Sequence, residues 1–83
     1  MDAIQDLGEH LHRYGLKNTK ARNAVLQLLL AKSGVLTPDS IYQTLQQRGK
    51  TINVSTIYRM LEMFTEKGLT EKSYLPDIRK YGF

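Results

Sequence analysis

The stretch Asn53-Val54-Ser55-Thr56-Ile57-Tyr58-Arg59-Met60-Leu61 has the pattern of a helix with one apolar face and one polar face. Asn53 precedes the helix, and its side chain can accept hydrogen bonds from the first free backbone N–H groups. With about 3.6 residues per turn, the apolar side chains share one face; they are Ile57, Leu61 and Phe64. Arg59 points nearly opposite, and Gly68 can end the helix in a left-handed conformation. An apolar back and a polar, acid-free first turn are typical of the second helix of a helix-turn-helix.

The composition indicates one small, basic domain. A chain of 83 residues with 41% hydrophobic residues can form a single core, and this content argues against disorder. The net charge of +4 suits a polyanionic partner, although many small basic domains bind none. The chain contains no cysteine, which excludes disulfides and thiolate metal sites within it.

The charges are segregated along the chain. Residues 10–32 and residues 40–61 contain basic side chains and no aspartate or glutamate, whereas the acids lie outside these two segments. Cations that bind phosphate need to be free of competing carboxylates, so this arrangement favours a nucleic-acid partner. Taken alone, the same pattern fits a solvated positive face without a partner equally well.

Several classes of function have little support in the residues. The longest apolar run, residues 28–31, is too short to cross a bilayer, and the first residues lack the pattern of a signal peptide. We therefore expect a cytoplasmic location and no membrane partner. The chain has no glycine-rich phosphate loop and no plausible serine–histidine–carboxylate set, so we expect no enzyme activity. His10 and His12 are two residues apart on a predicted helix and face different directions, which makes them a poor metal pair.

Three further helices precede the one described first. The spacing of Ile4, Leu7, Leu11 and Tyr14 predicts a first helix, which Gly15 ends. A second helix follows the capping residue Thr19 and is broken at Ser33-Gly34. Its broad apolar face predicts a central place in the core; the residues of that face are Val25, Leu26, Leu28, Leu29 and Leu30.

The third helix has a strong start signal in Thr37-Pro38-Asp39, which supplies a capping hydroxyl, a proline and an anion at the positive end of the helix dipole. Ile41, Tyr42 and Leu45 continue it as far as Gly49, and Tyr42 is interpreted as a core or interhelix residue.

After Gly68 the pattern changes to two short strands, residues 69–74 and 79–83, around a turn at residues 75–78. The predicted fold is therefore mainly α with a small β-hairpin: a winged helix-turn-helix preceded by an extra N-terminal helix. The hairpin carries Lys72, Arg79 and Lys80, which we expect to lie along a phosphate backbone.

Four motifs occur in a characteristic order: Leu16-Lys17-Asn18-Thr19-Lys20-Ala21-Arg22, Leu36-Thr37-Pro38-Asp39-Ser40-Ile41-Tyr42, Ile52-Asn53-Val54-Ser55-Thr56-Ile57-Tyr58-Arg59 and Glu66-Lys67-Gly68-Leu69. From about residue 11 to residue 83, the chain resembles the N-terminal DNA-binding domain of the ferric uptake regulator (Fur) family of bacterial metal-responsive repressors. The resemblance implies that residues 1–83 form one winged-helix DNA-binding domain, which binds promoter operators sequence-specifically and represses transcription. It also implies that the C-terminal dimerisation and metal-binding domain of the family is absent from this chain.

The resemblance assigns DNA-binding roles to six residues: Lys17, Arg22, Ser55, Thr56, Tyr58 and Arg59. Lys17 matches a lysine that enters the minor groove, where A·T-rich DNA has enhanced negative potential. Tyr58 matches a tyrosine that packs on thymine methyl groups, and Arg59 matches an arginine that contacts a base or phosphate. The remaining three match positions close to bases or phosphates. From the residues alone, Tyr58 could equally pack against the wing, and Lys17 is an ordinary solvated loop lysine.

The chain departs from the family at positions that bear on metal binding. Where many relatives have a metal-binding histidine before the third helix, this chain has Gly34-Val35-Leu36, and where many have a Tyr-Glu pair on the last strand it has Tyr81-Gly82. We therefore predict no metal ligand and no cofactor within these residues, while the intact protein is expected to bind a divalent metal (iron, zinc or manganese).

The expected partner is double-stranded DNA with an A·T-rich, two-fold operator. The intact protein is expected to be a homodimer and this chain alone a monomer. The alternative is a winged-helix protein–protein interaction module without DNA binding. Such modules typically hide or acidify the face that is acid-free here.

Overall fold

The structure is a computed structural model that describes residues 3–31 and 34–83, with side chains described from residue 8 onward in the first helix. Four helices precede one hairpin: α1 Ala3–Arg13, α2 Lys20–Ala31, α3 Pro38–Gln47, α4 Val54–Glu66, β1 Ser73–Leu75 and β2 Lys80–Gly82. The predicted order of elements is confirmed. The predicted packing of Ile4 and Leu7 concerns side chains that the structure does not describe, and the predicted break at Ser33 lies outside the described residues.

Local side-chain hydrogen bonds start the later helices as predicted. Thr37 Oγ1 accepts from the Ser40 backbone N–H at 3.2 Å, and Ser40 Oγ accepts from the Thr37 backbone N–H at 3.1 Å, which completes a capping box before α3. Asn53 Oδ1 accepts from the Thr56 backbone N–H at 3.0 Å and so fixes the first turn of α4. Caps of this kind stabilise a helix by about 1 kcal/mol each.

Glycines in the left-handed conformation end three of the helices. Gly15, Gly49 and Gly68 have φ values of 74°, 77° and 82°. At the end of α4, the Leu69 N–H donates to the Phe64 carbonyl at 2.8 Å and the Gly68 N–H to the Thr65 carbonyl at 3.1 Å, and both other ends repeat this arrangement. The chain therefore leaves each of these helices in a defined direction.

The core forms around α2, which packs against α1, α3 and α4. The largest fully buried side chains of the core come from all four helices: Phe64, Leu11, Leu26, Ile41, Leu45, Ile57, Leu61 and Val25. One prediction for α2 is wrong, because Leu30 is 56% exposed. Five apolar residues within positions 25–30 cover more than one face of a helix, and Leu30 lies beyond the edge of the buried face. Tyr42 packs against the core, as expected.

The hairpin is shorter than predicted. β1 and β2 pair antiparallel with Tyr74 opposite Tyr81, so the predicted strand at residues 69–74 begins only at Ser73 and extends to Leu75. Phe83 forms two reciprocal backbone hydrogen bonds with Leu36, at 2.9 and 2.7 Å, instead of extending the hairpin ladder. At the other end Arg79 adopts a left-handed φ of 53° in the turn. The Phe83–Leu36 pair fixes the hairpin to the segment before α3.

No helix in the described part of the chain combines the length and apolar content that crossing a membrane requires.

Candidate nucleic-acid interface

The first turn of α4 presents a polar surface to solvent. Ser55, Thr56, Tyr58 and Arg59 are all exposed there, whereas Ile57 is fully buried on the opposite side. The structure thus brings these four sequence-predicted residues together on one helical turn. Ser55 Oγ donates to Asn53 Oδ1 at 2.7 Å, so the residue that caps the helix also orients a side chain of the exposed turn.

This turn forms a ridge between two grooves. On one side, a cleft of about 500 Å³ separates it from α3 and the hairpin; Pro38, Val54, Tyr58 and Tyr81 line its apolar part. On the other side, a smaller groove of about 340 Å³ runs between α4 and the start of α2, where Thr19 and Arg22 face Thr56 and Arg59. Arg59 lines both grooves. A convex, acid-free helix end of this shape fits the wide groove of a duplex.

Tyr58 packs against the hairpin and also remains exposed, so the structure is consistent with both interpretations drawn from the sequence, packing against the wing and contact with DNA. Its ring packs edge-on against Phe83 with 6.3 Å between ring centroids, and its hydroxyl oxygen accepts from Lys72 Nζ at 3.3 Å. The side chain nevertheless remains 40% exposed on the ridge. Tyr58 is therefore held by the hairpin on one side and open to a ligand on the other.

Lys72 is engaged with α4 rather than directed freely into solvent. Its ammonium group lies 2.7 Å from Glu62 Oε1 and 4.5 Å from the centroid of the Tyr81 ring. The hydrogen bond from Lys72 holds the pKa of Glu62 below its ordinary value. The hydrogen bond to Glu62 raises the pKa of Lys72, and the bond to Tyr58 adds to that shift. The prediction that Lys72 lies along a phosphate backbone stays a prediction, although Glu62 already pairs with its charge in the free chain.

The other cations of the hairpin differ in their environment. Lys80 Nζ lies 2.8 Å from Asp39 Oδ2 at the start of α3, with both side chains more than half exposed. An exposed pair of this kind contributes about 0–1 kcal/mol and is screened by salt, so a phosphate can compete for the lysine. Arg79 is exposed at the tip of the hairpin. Lys80 and Arg79 therefore remain compatible with the phosphate-facing position predicted for them.

Arg22 connects two predicted DNA-binding segments. Its Nη1 donates to the Lys17 carbonyl at 3.1 Å, and its Nη2 lies 3.8 Å from Met63 Sδ on α4. Lys17 itself is exposed in the connector between α1 and α2. Arg22 thus ties the connector that carries Lys17 to the helix that carries Tyr58 and Arg59.

Glu62 also belongs to this surface, although the sequence pattern did not single it out. It lies four positions after Tyr58, on the same side of α4, and this spacing was the one local sign of a shared cluster. Its partner Lys72 is ten residues further along the chain and becomes a neighbour only when the hairpin folds back.

Two of the positions at which the chain departs from the family's metal-binding pattern, Val35 and Gly82, pack against each other. Gly82 is buried against Val35 and Leu75, and a Cβ atom at position 82 would overlap the Val35 side chain. A carboxylate there would require the Val35 side chain, or the segment that carries it, to move. Within the described residues, no three histidine, aspartate or glutamate side chains come together in a group that could hold a metal ion. The His10 ring instead packs at a tilt of 49° against the Tyr14 ring, with ring centroids 5.4 Å apart.

Comparison with known proteins agrees with this geometry. The sequence profile of the ferric uptake regulator family matches residues 13–81. The chain is 33% identical over 69 residues to the peroxide operon regulator of Bacillus subtilis, which covers 83% of this chain and 48% of that protein. It is 33% identical over 64 residues to the ferric uptake regulation protein of Helicobacter pylori, which covers 77% of this chain and 42% of that protein. The chain therefore spans about half the length of these relatives.

Solved structures support the same fold. The ferric uptake regulator of Vibrio cholerae, described as having DNA-binding domains, superposes with a TM-score of 0.81 at 26% identity, over 92% of this chain and 58% of that one. The Helicobacter pylori regulator gives a TM-score of 0.77 at 22% identity, over 98% of this chain and 57% of that one, and supports the fold alone. The winged helix with a preceding helix is confirmed, and the chain belongs to the ferric uptake regulator family.

Proposed function

We propose that this chain is the sequence-specific DNA-binding domain of a transcriptional repressor that occupies promoter operators. The observation that carries the proposal is the exposed first turn of α4, which stands as an acid-free ridge between two grooves. The relatives support it, since those named above are a peroxide operon regulator and a ferric uptake regulation protein.

Base recognition is assigned to the ridge. Arg59 has a planar fork of donors suited to guanine or phosphate oxygens, and the ring of Tyr58 offers an apolar edge to a thymine methyl group. Ser55 and Thr56 carry hydroxyls at the start of the same turn, close enough to reach bases or the sugar–phosphate backbone when the turn enters the major groove.

Lys17 and Arg22 are assigned complementary roles beside the ridge. Lys17 extends from the connector toward an A·T-rich minor groove, where a cation is favoured by the narrow groove's negative potential. Arg22 braces that connector through the Lys17 carbonyl, and its charge adds to the attraction of nearby phosphates. Both roles require α4 and the connector to face the same duplex.

For the intact protein, we propose a cytoplasmic homodimer that binds a two-fold operator. In this proposal residues 1–83 are the DNA-binding part, and a divalent metal such as iron, zinc or manganese is held mainly by the rest of the protein. Metal would act by setting the separation and angle of two such domains. One domain alone would bind weakly, because it lacks the affinity gained by joining two half-sites.

Fluorescence anisotropy with random-sequence duplex DNA, followed by selection from a random duplex library, tests the proposal. The wild-type chain should bind the random duplex more weakly as salt rises and should enrich a defined sequence. Arg59→Ala should lose discrimination at one base pair by about 1–3 kcal/mol, if its contact is bidentate. Lys67→Ala, two helical turns away at the end of α4, is the matched control. Absence of duplex binding at low salt, with the chain folded, would contradict the proposal and favour a protein-binding module.

A further inference from the structure

Lys72, which immediately precedes β1, connects the hairpin to the exposed face of α4 through three contacts. Its ammonium group bonds Glu62 Oε1 at 2.7 Å and the hydroxyl oxygen of Tyr58 at 3.3 Å, and it lies over the Tyr81 ring. The Lys72 side chain is only 27% exposed, which is low for a lysine on a surface that binds phosphate. Its position is therefore set by α4 and not by solvent.

The charge of Lys72 is compensated inside this cluster. Glu62 supplies the opposite charge on the same helix as Tyr58, one turn further along. A phosphate would have to compete with a carboxylate already in contact with the ammonium group, and the Tyr58 hydroxyl and Tyr81 ring would lose their partner. Lys72 is thus poorly placed to release a counterion on DNA binding, in contrast to the exposed Arg79.

The same contacts restrict the ring of Tyr58. Phe83 packs against it edge-on with an interplanar angle of 90°, and Lys72 anchors its hydroxyl oxygen. A tyrosine on the exposed side of a helix otherwise samples several rotamers, and an ordered ring loses less entropy when it packs on a base.

We propose that Glu62 and Lys72 are positioning residues that hold Tyr58 in the orientation used for base recognition, so that the hairpin braces the recognition helix at this point. This inference rests on the proposed function, because it concerns how Tyr58 reads DNA. The proposal separates two roles within the hairpin: Lys72 contributes to sequence preference, while exposed cations such as Arg79 contribute to phosphate attraction.

The two roles give different experimental signatures. With the sequence that the wild-type chain selects from the random library as probe, Lys72→Met should reduce preference at one base pair by about five-fold, at the low end of the usual cost of a mismatch. The slope of log affinity against log salt should stay unchanged. Lys67→Met, which removes an exposed cation from the end of α4, is the control and should leave base preference unchanged. A slope reduced by about one unit with intact base preference would identify Lys72 as a phosphate contact and overturn the proposal.

A double-mutant cycle distinguishes positioning from a general structural effect. In the Tyr58→Phe background the hydroxyl is gone, so Lys72→Met should cause little further loss of base preference; full additivity would overturn the proposal. Lys72→Arg keeps the ion pair with Glu62 and should restore most of the preference. Glu62→Gln should loosen the cluster, whereas Glu66→Gln, one turn further along α4, should not.

The Tyr58 ring signals in NMR spectra of the free chain provide a second measurement. They should shift in Lys72→Met and Glu62→Gln and stay unchanged in the two controls; an unchanged ring in the first two variants would overturn the proposal. If the wild-type chain binds no duplex selectively, the proposed function fails and this inference fails with it. If the wild type is selective and Lys72→Met is equally selective at every base pair, only this inference fails.

Discussion

Arg22 Nη1 donates a hydrogen bond to the backbone carbonyl of Lys17 at 3.1 Å, so α2 holds the connector in front of it in place. The second amino group of the same guanidinium, Nη2, lies 3.8 Å from Met63 Sδ on α4. One side chain therefore sets the position of the proposed minor-groove lysine relative to the proposed major-groove helix.

Arg22→Lys is predicted to weaken duplex binding by about five-fold, or roughly 1 kcal/mol, although the charge is kept. A lysine cannot bond the Lys17 carbonyl and Met63 at once, and a typical intramolecular hydrogen bond has a net value of about 1 kcal/mol. Affinity for the selected duplex, measured in Arg22→Lys, Lys17→Ala and the double variant, checks this. Gln27→Ala, exposed on the same helix, is the control. Independent, additive effects of the two substitutions would show that Arg22 does not act through Lys17.

Gly82→Ala is predicted to destabilise the fold by about 1–3 kcal/mol, because the added methyl group overpacks the contact with Val35 and Leu75. Urea unfolding of Gly82→Ala and of the wild-type chain measures the difference in the free energy of unfolding. Ser73→Ala, at the position opposite Gly82 in the hairpin, is exposed and should change stability little. Val35→Ala combined with Gly82→Ala should recover part of the loss. Equal stability of Gly82→Ala and wild type would show that the segment before α3 yields without cost.

Asn53→Asp is predicted to preserve the cap of α4 and the stability of the fold but to weaken DNA binding. Aspartate caps as well as asparagine and is favoured at the positive end of the helix dipole, so stability should be unchanged or slightly higher. DNA affinity should fall, since the carboxylate enters a turn that faces phosphates and is free of acids. Thermal unfolding and duplex titration measure the two effects. Asn53→Ala should instead cost about 1 kcal/mol of stability. Retained affinity in Asn53→Asp would place the first turn of α4 away from the DNA.

The Glu62–Lys72 pair is predicted to contribute stability over a defined pH range. Because the folded-state pKa of Glu62 lies below the ordinary 4.5, the stabilisation is fully present above 4.5 and is lost as pH falls through the lowered pKa. Because the pKa of Lys72 lies above 10.5, the stabilisation persists below 10.5 and is lost as pH rises through the raised value. Urea unfolding of wild type and Glu62→Gln from pH 7 to pH 3 should show a difference in stability that shrinks below about pH 4.5. A difference that grows toward low pH would contradict the assigned pair.

The helices were predictable because the signals that begin and end them are local. Thr37, Asn53 and Gly68 act on backbone groups within a few residues, and each adopts the role that the sequence indicates. The exposed residues of the α4 turn follow from the same helical period, since the burial of Ile57 places Tyr58 and Arg59 on the open side.

The contacts of the hairpin were not predictable, because they join residues far apart in sequence. Lys80 forms an ion pair with Asp39, which lies 41 positions earlier in the sequence. Phe83 forms backbone hydrogen bonds with Leu36 in place of a longer hairpin ladder. The burial of Leu30 was predicted wrongly for a related reason, as a run of leucines does not show which of its members faces the neighbouring helices. Pairings of this kind depend on how elements pack and leave no periodic pattern.

The most direct measurement of the central claim is a titration of the isotope-labelled chain with the selected duplex, followed by backbone amide NMR shifts. If the first turn of α4 enters the major groove while the connector approaches the minor groove, the largest shifts occur at Lys17 and residues 55–59. Residues 65–67, at the far end of α4, change little. Saturable binding with the largest shifts at residues 65–67, and none at residues 55–59, would contradict the account.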